Sequence, residues 1–173
     1  MFAKHDPATS HTFRKTLSAI GATALLAALL PTPFQMALAQ ANPIVNENAH
    51  VGTGQWQLYL EGRPVADDVN RQIQGYGSAP SVTHGETISF HITVNPVQTY
   101  TVAIYRVGYY GGQGGRLMAH AGPLNGAPQP DCPMAPSTGL LECAWTPSLS
   151  MTVPLSWTTG IYRAVLTNKL NYQ

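Results

Sequence analysis

The sequence is poor in charge, and this shortage excludes several classes of function. Only 10% of its 173 residues are charged, and the formal net charge is +1. Removing residues 1–39, an export signal described below, leaves 134 residues with six basic and seven acidic side chains. Because the basic side chains do not outnumber the acidic ones, the chain has no positive charge to attract phosphate groups, and we expect no nucleic-acid binding. The absence of a polybasic patch likewise argues against an anionic membrane surface as partner.

Helical periodicity is also scarce. Beyond the N-terminal segment, no stretch repeats apolar residues every 3.6 positions. Instead, Ile88, Phe90, Ile92 and Val94 alternate with polar residues, as expected for a half-buried strand. Glycine and proline punctuate the chain at short intervals. This pattern predicts an all-β protein.

Catalytic motifs are lacking too. The histidines are not paired at metal-ligand spacing, and His91 is predicted on the solvated face of its strand. No G-x-S-x-G nucleophile elbow occurs, and Asp67 and Asp68 are adjacent in a polar turn. We therefore predict no catalytic residue, no metal ligand and no cofactor in this chain.

The N-terminus has the composition of a cleaved export signal. A basic region is followed by 14 apolar residues, Leu17–Leu30, which are fewer than a membrane-spanning helix needs. Cleavage is expected after Ala39 or after Ala41, and the basic region has no paired arginines. The prediction is general secretory export to the periplasm or medium, with no membrane attachment after cleavage.

Only two cysteines are present, Cys132 and Cys143, within a proline-rich stretch. Ten residues separate them and no histidine is nearby, so the spacing fits neither a zinc site nor a C-x-x-C redox motif. In an oxidising compartment the pair is expected to form a disulfide.

The remainder divides into a leader, predicted to be flexible over residues 40–54, and one β-domain over residues 55–173. A short strand is expected around Trp56 and Leu60, and another from Ile73 to Val82. The strand Tyr100–Val107 carries apolar side chains on both faces, so both faces need cover. The second cover could come from a neighbouring domain or from a loop of the same chain.

The segment Ile104–Leu117 (IYRVGYYGGQGGRL) predicts a β-hairpin with a glycine-rich turn. The turn has no P-loop lysine and opens no helix, so its glycines are interpreted as residues with positive φ angles. The alternative is a binding loop in which Tyr109 and Tyr110 present aromatic faces to a sugar ring or a peptide. Arg116 would then anchor a carboxylate.

Together with Gly75–Ile92 and Trp157–Leu166, this hairpin resembles the immunoglobulin-like domain that precedes the catalytic part in bacterial proteins similar to the large (beta) subunit of N,N-dimethylformamidase. The resemblance begins near Gln55. It implies an N-terminal immunoglobulin-like antiparallel sandwich, with the catalytic part following Gln173. In such relatives, tyrosines and a carboxylate of the catalytic domain hold an iron ion that supports hydrolysis of an N-alkylated formamide. None of those ligands can be placed on this chain.

Tyr162 is the candidate for a tyrosine corner, in which a hydroxyl bonds to upstream backbone at the start of strand F. About six strands can be counted from Ile73, one fewer than the usual sandwich has. The strand after Tyr172 would therefore be missing. The open edge could be filled by a partner chain, by the missing catalytic domain or by self-association.

Three functional hypotheses follow. The first is a non-catalytic immunoglobulin-like accessory module of an exported N,N-dimethylformamidase-like protein. The second is a stand-alone exported binding or adhesion module that uses the loop from Tyr109 to Arg116. The third is a fragment of an iron-dependent amidohydrolase. On the first two hypotheses the chain by itself is not an enzyme.

Overall fold

A computed structural model describes residues 42–173, so the predicted signal at residues 1–39 lies outside the described residues. The described part contains six strands and one six-residue α-helix, which confirms the all-β prediction. In chain order the elements are α1 (Pro43–Asn48), β1 (Ile73–Gly77), β2 (Thr87–Val94), β3 (Gln98–Val107), β4 (Gly115–Gly126), β5 (Leu149–Thr152) and β6 (Ile161–Asn168). Within residues 42–173, no helix is long and apolar enough to cross a membrane.

The strands form two three-stranded antiparallel sheets. The first has the order β1-β2-β5, with Gly75 opposite Ile92 and Ile88 opposite Met151. The second has the order β4-β3-β6, with Ile104 opposite Ala164. β2 and β3 are therefore central strands, and their apolar composition suits that position.

One hydrophobic core joins the two sheets. Both sheets contribute its most buried residues. These are Ile73, Ile92 and Val94 of the first sheet and Tyr100, Val102 and Ile104 of the second. The apolar residues that alternate along β2 are the ones that face the core. Ile92 and Val94 belong to the core cluster, and Phe90 packs against it. The period-two pattern thus predicted the core face of β2 correctly.

The predicted hairpin is formed by β3 and β4, which pair antiparallel from Val107 opposite Gly115 to Gln98 opposite Gly126. The turn contains a short 3-10 helix, Tyr110–Gly112. Gly111, Gly112 and Gly114 have φ angles of 64°, 89° and 81°, which confirms their interpretation as positive-φ turn residues.

The second cover for β3 comes from the chain's own N-terminal segment, residues 42–63. Thr53 forms a β-bridge with Gly115, and the indole of Trp56 lies against Gly114 and Gly115. On this outer face Tyr105 is only 8% exposed. The segment predicted as a flexible leader is therefore folded against the hairpin from residue 42 onward.

The prediction of a short strand around Trp56 is wrong. This stretch forms turns and a 3-10 helix, Leu60–Gly62. Tyr59 and Glu61 have φ angles of 64° and 58°, and a left-handed backbone cannot continue an extended strand. The apolar residues that alternate here are partly buried, whereas Gln57 and Tyr59 between them are exposed, so the alternation reflects burial rather than pairing in a sheet.

The outer face of the first sheet is covered by the connection between β4 and β5, residues 127–148. Gln129 donates its backbone N–H to Thr93 Oγ1, and Thr93 is 1% exposed. His91 stacks on Tyr76 with ring centroids 4.8 Å apart, and its Nδ1 lies 2.7 Å from the carbonyl oxygen of Trp145. The prediction that His91 is a solvated surface residue is therefore wrong, because this loop covers it.

Candidate functional site

The loop that connects β3 and β4 was the alternative candidate for a binding loop, and the structure separates its three named residues. Tyr109 is 71% exposed at the tip of the hairpin. Its backbone N–H donates to Asn48 Oδ1 at 2.8 Å, which ties the tip to the end of α1. Of the three, Tyr109 presents its ring most fully to solvent.

Tyr110 is a core residue of the loop, with 1% of its surface exposed. Its hydroxyl donates to Glu47 Oε1 at 2.8 Å and accepts from Arg106 Nη1 at 3.0 Å. Burial raises the pKa of this hydroxyl, so it stays protonated at neutral pH. The hypothesis that Tyr110 offers an aromatic face to a ligand is wrong, since its ring and hydroxyl are enclosed by the chain.

Arg116 is engaged with the N-terminal helix. Its Nη1 lies 2.6 Å from Glu47 Oε1, and the Glu47 side chain is 8% exposed. Burial raises the pKa of Glu47, but hydrogen bonds from Arg116 and Tyr110 and the nearby arginine charges outweigh that effect and hold the pKa below its usual value. The carboxylate that Arg116 binds thus belongs to the same chain.

Arg106 is a buried charged residue that the sequence analysis did not single out. It is 3% exposed, and its guanidinium donates to the carbonyl oxygens of Thr158 and Thr159 at 3.4 and 2.9 Å, as well as to Tyr110. These bonds link the hairpin to the turn before β6. The sequence could have indicated this buried charge, because Arg106 is at an inward position of the largely apolar strand Tyr100–Val107.

The disulfide between Cys132 and Cys143 is present, as predicted. The loop it closes is attached to the first sheet by the Tyr76 hydroxyl, which donates to the carbonyl oxygen of Cys143 at 2.9 Å. Trp145 Nε1 donates to the carbonyl oxygen of Pro130 at 2.7 Å. The arrangement fixes the long connection between β4 and β5 in place.

Among residues 42–173, no group of three or more His, Cys, Asp and Glu side chains converges in a way that could hold a metal ion. Asp67, for example, has a local structural role. Asp67 accepts from the backbone and side chain of Asn70 and from Gln72, and these bonds lower its pKa to about 2.

A groove runs between the edges of the two sheets, along β1 and β6. It has a volume of about 560 Å³ and is lined by apolar side chains that include Phe90, Tyr162 and Leu166. A cavity of about 350 Å³ adjoins it and shares Phe90 and Tyr162, with Trp157 on its far side.

Tyr162, the predicted tyrosine corner, lies at the mouth of this groove near the start of β6. Its hydroxyl donates to the carbonyl oxygen of Thr158, four residues upstream, at 2.5 Å. Its ring stacks on Trp157 with centroids 4.8 Å apart. The bond therefore fixes the turn that leads into β6.

Sequence comparison finds a family similarity in the C-terminal part of the chain. Residues 101–173 match the family described as N,N-dimethylformamidase beta subunit-like, C-terminal. This part of the chain is similar to dimethylformamidase beta subunit-like proteins. No curated protein and no solved structure matches the chain. The expected resemblance is confirmed, but the expectation of an N-terminal domain is wrong, because the matching family describes a C-terminal region.

The matched region does not coincide with a folding unit. It begins inside β3 and includes β4, β5 and β6, whereas the core also contains Ile73, Ile92 and Val94 from the unmatched part. The N-terminal segment contributes Glu47, which pairs with Arg116 inside the match. The dimethylformamidase-like part therefore folds together with residues that precede it.

Proposed function

We propose that this chain is a non-catalytic immunoglobulin-like module of an exported N,N-dimethylformamidase-like protein. The family match supports the relationship to that class of protein. The proposed role is to pack against or tether the catalytic part of such a protein. The observation that carries the proposal is the order of the strands in the two sheets.

Immunoglobulin-like sandwiches place strands A, B and E next to one another in one sheet and strands C and F in the other, with strand C′ beside C in variable-type domains. Sheet order β1-β2-β5 is the order A-B-E, and sheet order β4-β3-β6 is the order C′-C-F. This correspondence of six strands, in chain order, to A, B, C, C′, E and F supports the immunoglobulin-like part of the proposal.

The tyrosine corner supports the same assignment. Tyr162 lies at the start of the strand that corresponds to F, and its hydroxyl bonds to Thr158 in the turn after β5, as expected at an E–F corner. Antibody domains have a cysteine two residues after this tyrosine, where this chain has Ala164. The disulfide here instead joins two residues between C′ and E.

The hydrogen-bond partners of four polar residues in and near the hairpin support the non-catalytic assignment. Glu47, Arg106, Tyr110 and Arg116 bond to one another or to backbone carbonyl groups. A structural role in the fold accounts for each of these bonds. The cluster therefore serves to join α1, the hairpin and the turn before β6.

Export is part of the proposal and is supported by two features. The N-terminal segment has a basic region, an apolar stretch and small residues before the expected cleavage site. The disulfide between Cys132 and Cys143 is compatible with an oxidising compartment. Amino-terminal sequencing of the secreted protein tests this part, because processing should expose Gln40 or Asn42.

The proposed function is tested by assaying the purified mature chain for iron content and for hydrolysis of N,N-dimethylformamide and simpler formamides. The expected result is neither bound iron nor turnover. Stoichiometric iron together with turnover that is lost on chelation would contradict the proposal and favour an amidohydrolase fragment. Specific retention on a sugar or peptide that is lost in Tyr109→Ala would favour a stand-alone binding module, because Tyr109 is the exposed aromatic residue of the loop.

A further inference from the structure

The loop that the disulfide closes has a tip, residues 133–142, with few links to the rest of the fold. All residues of the tip are exposed except Ala135, which is half-buried. Its hydrogen bonds are internal, since the N–H groups of Ala135 and Gly139 donate to the carbonyl oxygens of Leu140 and Ala135, both at 2.8 Å. Within residues 42–173, no hydrogen bond joins the tip to a residue outside it. The tip can therefore open without breaking hydrogen bonds to the two sheets.

The chain on both sides of the tip is fixed in place. The Tyr76 hydroxyl donates to the carbonyl oxygen of Cys143 at 2.9 Å, which attaches the chain after the tip to the first sheet. Trp145 Nε1 donates to the carbonyl oxygen of Pro130 at 2.7 Å, which joins the chain after the tip to the chain before it. Because these bonds lie outside the tip, its opening leaves the cover of the first sheet unchanged.

Two leucines and a methionine give the tip an apolar surface. Met134, Leu140 and Leu141 are 63%, 58% and 61% exposed. An endoprotease binds its substrate as an extended strand and holds the side chain before the cut bond in a pocket. The peptide bond between Leu140 and Leu141 has a large exposed apolar side chain on each side, so it suits a protease whose pocket is apolar.

We propose that the bond between Leu140 and Leu141 is a processing site for an endoprotease that prefers a large apolar residue before the cut bond. Hydrolysis breaks the C–N bond, and water supplies the oxygen that joins the Leu140 carbonyl carbon and the hydrogen that joins the Leu141 nitrogen. Cys132 and Cys143 lie on opposite sides of the cut, so their disulfide keeps the products joined. The product is a two-chain module in which β5 and β6 stay attached to β1–β4.

Leu155, in the turn between β5 and β6, distinguishes this proposal from an argument based on exposure alone. It is 80% exposed, more than Leu140. Its turn is anchored, however, because Arg106 donates to the carbonyl oxygens of Thr158 and Thr159. When opening is fast, the rate of proteolysis follows the population of the locally opened chain. The tip should therefore be cut before the turn, whether or not the module accompanies an amidohydrolase.

The test treats the purified, oxidised mature chain with a low concentration of chymotrypsin, whose specificity pocket is a hydrophobic slot. The first product should run as one band on a gel without reductant and as two bands after reduction. Amino-terminal sequencing of the smaller fragment should begin at Leu141. The circular dichroism of the cut, unreduced protein should match that of the intact chain, because the tip has no hydrogen bonds to the sheets.

Variants locate the cut. Replacing Leu140 and Leu141 together by Ser removes the apolar side chains and should slow the loss of intact chain by about tenfold or more. Leu155→Ser makes the same change at the more exposed leucine and should leave the rate unchanged. Replacing Cys132 and Cys143 together by Ser should give two separate bands without reductant. If that variant fails to fold, the reduced and unreduced lanes of the wild-type digest decide the same point.

Three results would overturn the proposal. The first is a folded chain that chymotrypsin leaves intact at the tip, whether or not it is cut elsewhere. The second is an initial cut after Leu155, which would mean that exposure rather than local opening decides the site. The third is an unchanged rate of cutting when Leu140 and Leu141 are both replaced by Ser.

Discussion

Glu47 and Arg116 are 69 residues apart in sequence, and their side chains meet at 2.6 Å to join the N-terminal helix to strand β4. The pair lies beside Tyr110, whose hydroxyl donates to the same carboxylate oxygen. A segment that the sequence analysis treated as a leader is therefore fixed to the hairpin by a largely buried carboxylate.

Replacing Glu47 by Gln should lower the free energy of unfolding by about 1–3 kcal/mol, because charge-assisted hydrogen bonds from Arg116 and Tyr110 are lost. Glu61→Gln is the matched control, since Glu61 pairs with Arg63 at the surface and the change should be within about 0.5 kcal/mol. Urea melts at neutral pH measure both. Equal effects of the two variants would contradict the structural role of Glu47.

The contribution of Glu47 should depend on pH. Its pKa in the folded protein lies below the ordinary value of 4.5, so the unfolded chain binds more protons in the acidic range. The stabilisation is complete above about pH 4.5 and is lost as the pH falls through the folded-state pKa. The stability difference between wild type and Glu47→Gln should therefore shrink from pH 7 to pH 3. A difference that grows on acidification would contradict the assigned direction.

The disulfide should be present in the exported protein and should stabilise it. Intact mass after alkylation without reductant should show no modified thiols on a monomer, whereas two alkylated cysteines would contradict the bond. Replacing Cys132 and Cys143 together by Ser should lower stability by about 2–3 kcal/mol, as loop closure over so short a segment predicts. An unchanged urea midpoint would mean that the loop is held by its other contacts alone.

His91 and Phe90 provide a test of the two faces of β2. His91→Ala should lower stability by about 1–2 kcal/mol, because it removes the stack on Tyr76 and the bond to Trp145. Phe90→Ala should lower the free energy of unfolding by about 3 kcal/mol. This value is at the lower end of the range for replacing a core aromatic residue by alanine, because Phe90 also lines the groove. A negligible effect of His91→Ala would indicate a solvated outer face.

The tyrosine corner is tested by removing one oxygen atom. Tyr162→Phe keeps the stack on Trp157 but loses the hydrogen bond to Thr158, so stability should fall by about 1 kcal/mol. Tyr109→Phe, at an exposed position, should have no measurable effect and serves as the control. If both variants melt alike, the hydroxyl of Tyr162 contributes nothing to the corner.

Local signals in the sequence were sufficient for much of the fold. The alternation of Ile88, Phe90, Ile92 and Val94 identified β2 and its core face, and the glycines after Val107 identified the hairpin turn. Both depend on neighbouring residues only, because side-chain alternation and backbone φ are local properties.

Features that depend on distant contacts could not be predicted in the same way. The alternative binding-loop interpretation required Tyr110 to be an exposed aromatic residue, yet it is buried, and its hydroxyl donates to Glu47, 63 residues earlier. His91 is covered for a similar reason, since Trp145 lies 54 residues later. No local pattern marks a polar residue whose partner is supplied by a distant segment, and of the three candidate loop residues only Tyr109 is largely exposed.

Native-state amide hydrogen exchange on the isolated chain tests most directly whether the two-sheet module has an open edge at β6. β2 is central in its sheet, so amides throughout Thr87–Val94 should exchange slowly, whereas in Ile161–Thr167 only the alternate amides that pair with β3 should be slow. Uniformly slow exchange along Ile161–Thr167 in a monomeric chain, equal to that of β2, would contradict this account, because the β6 edge would then already be paired.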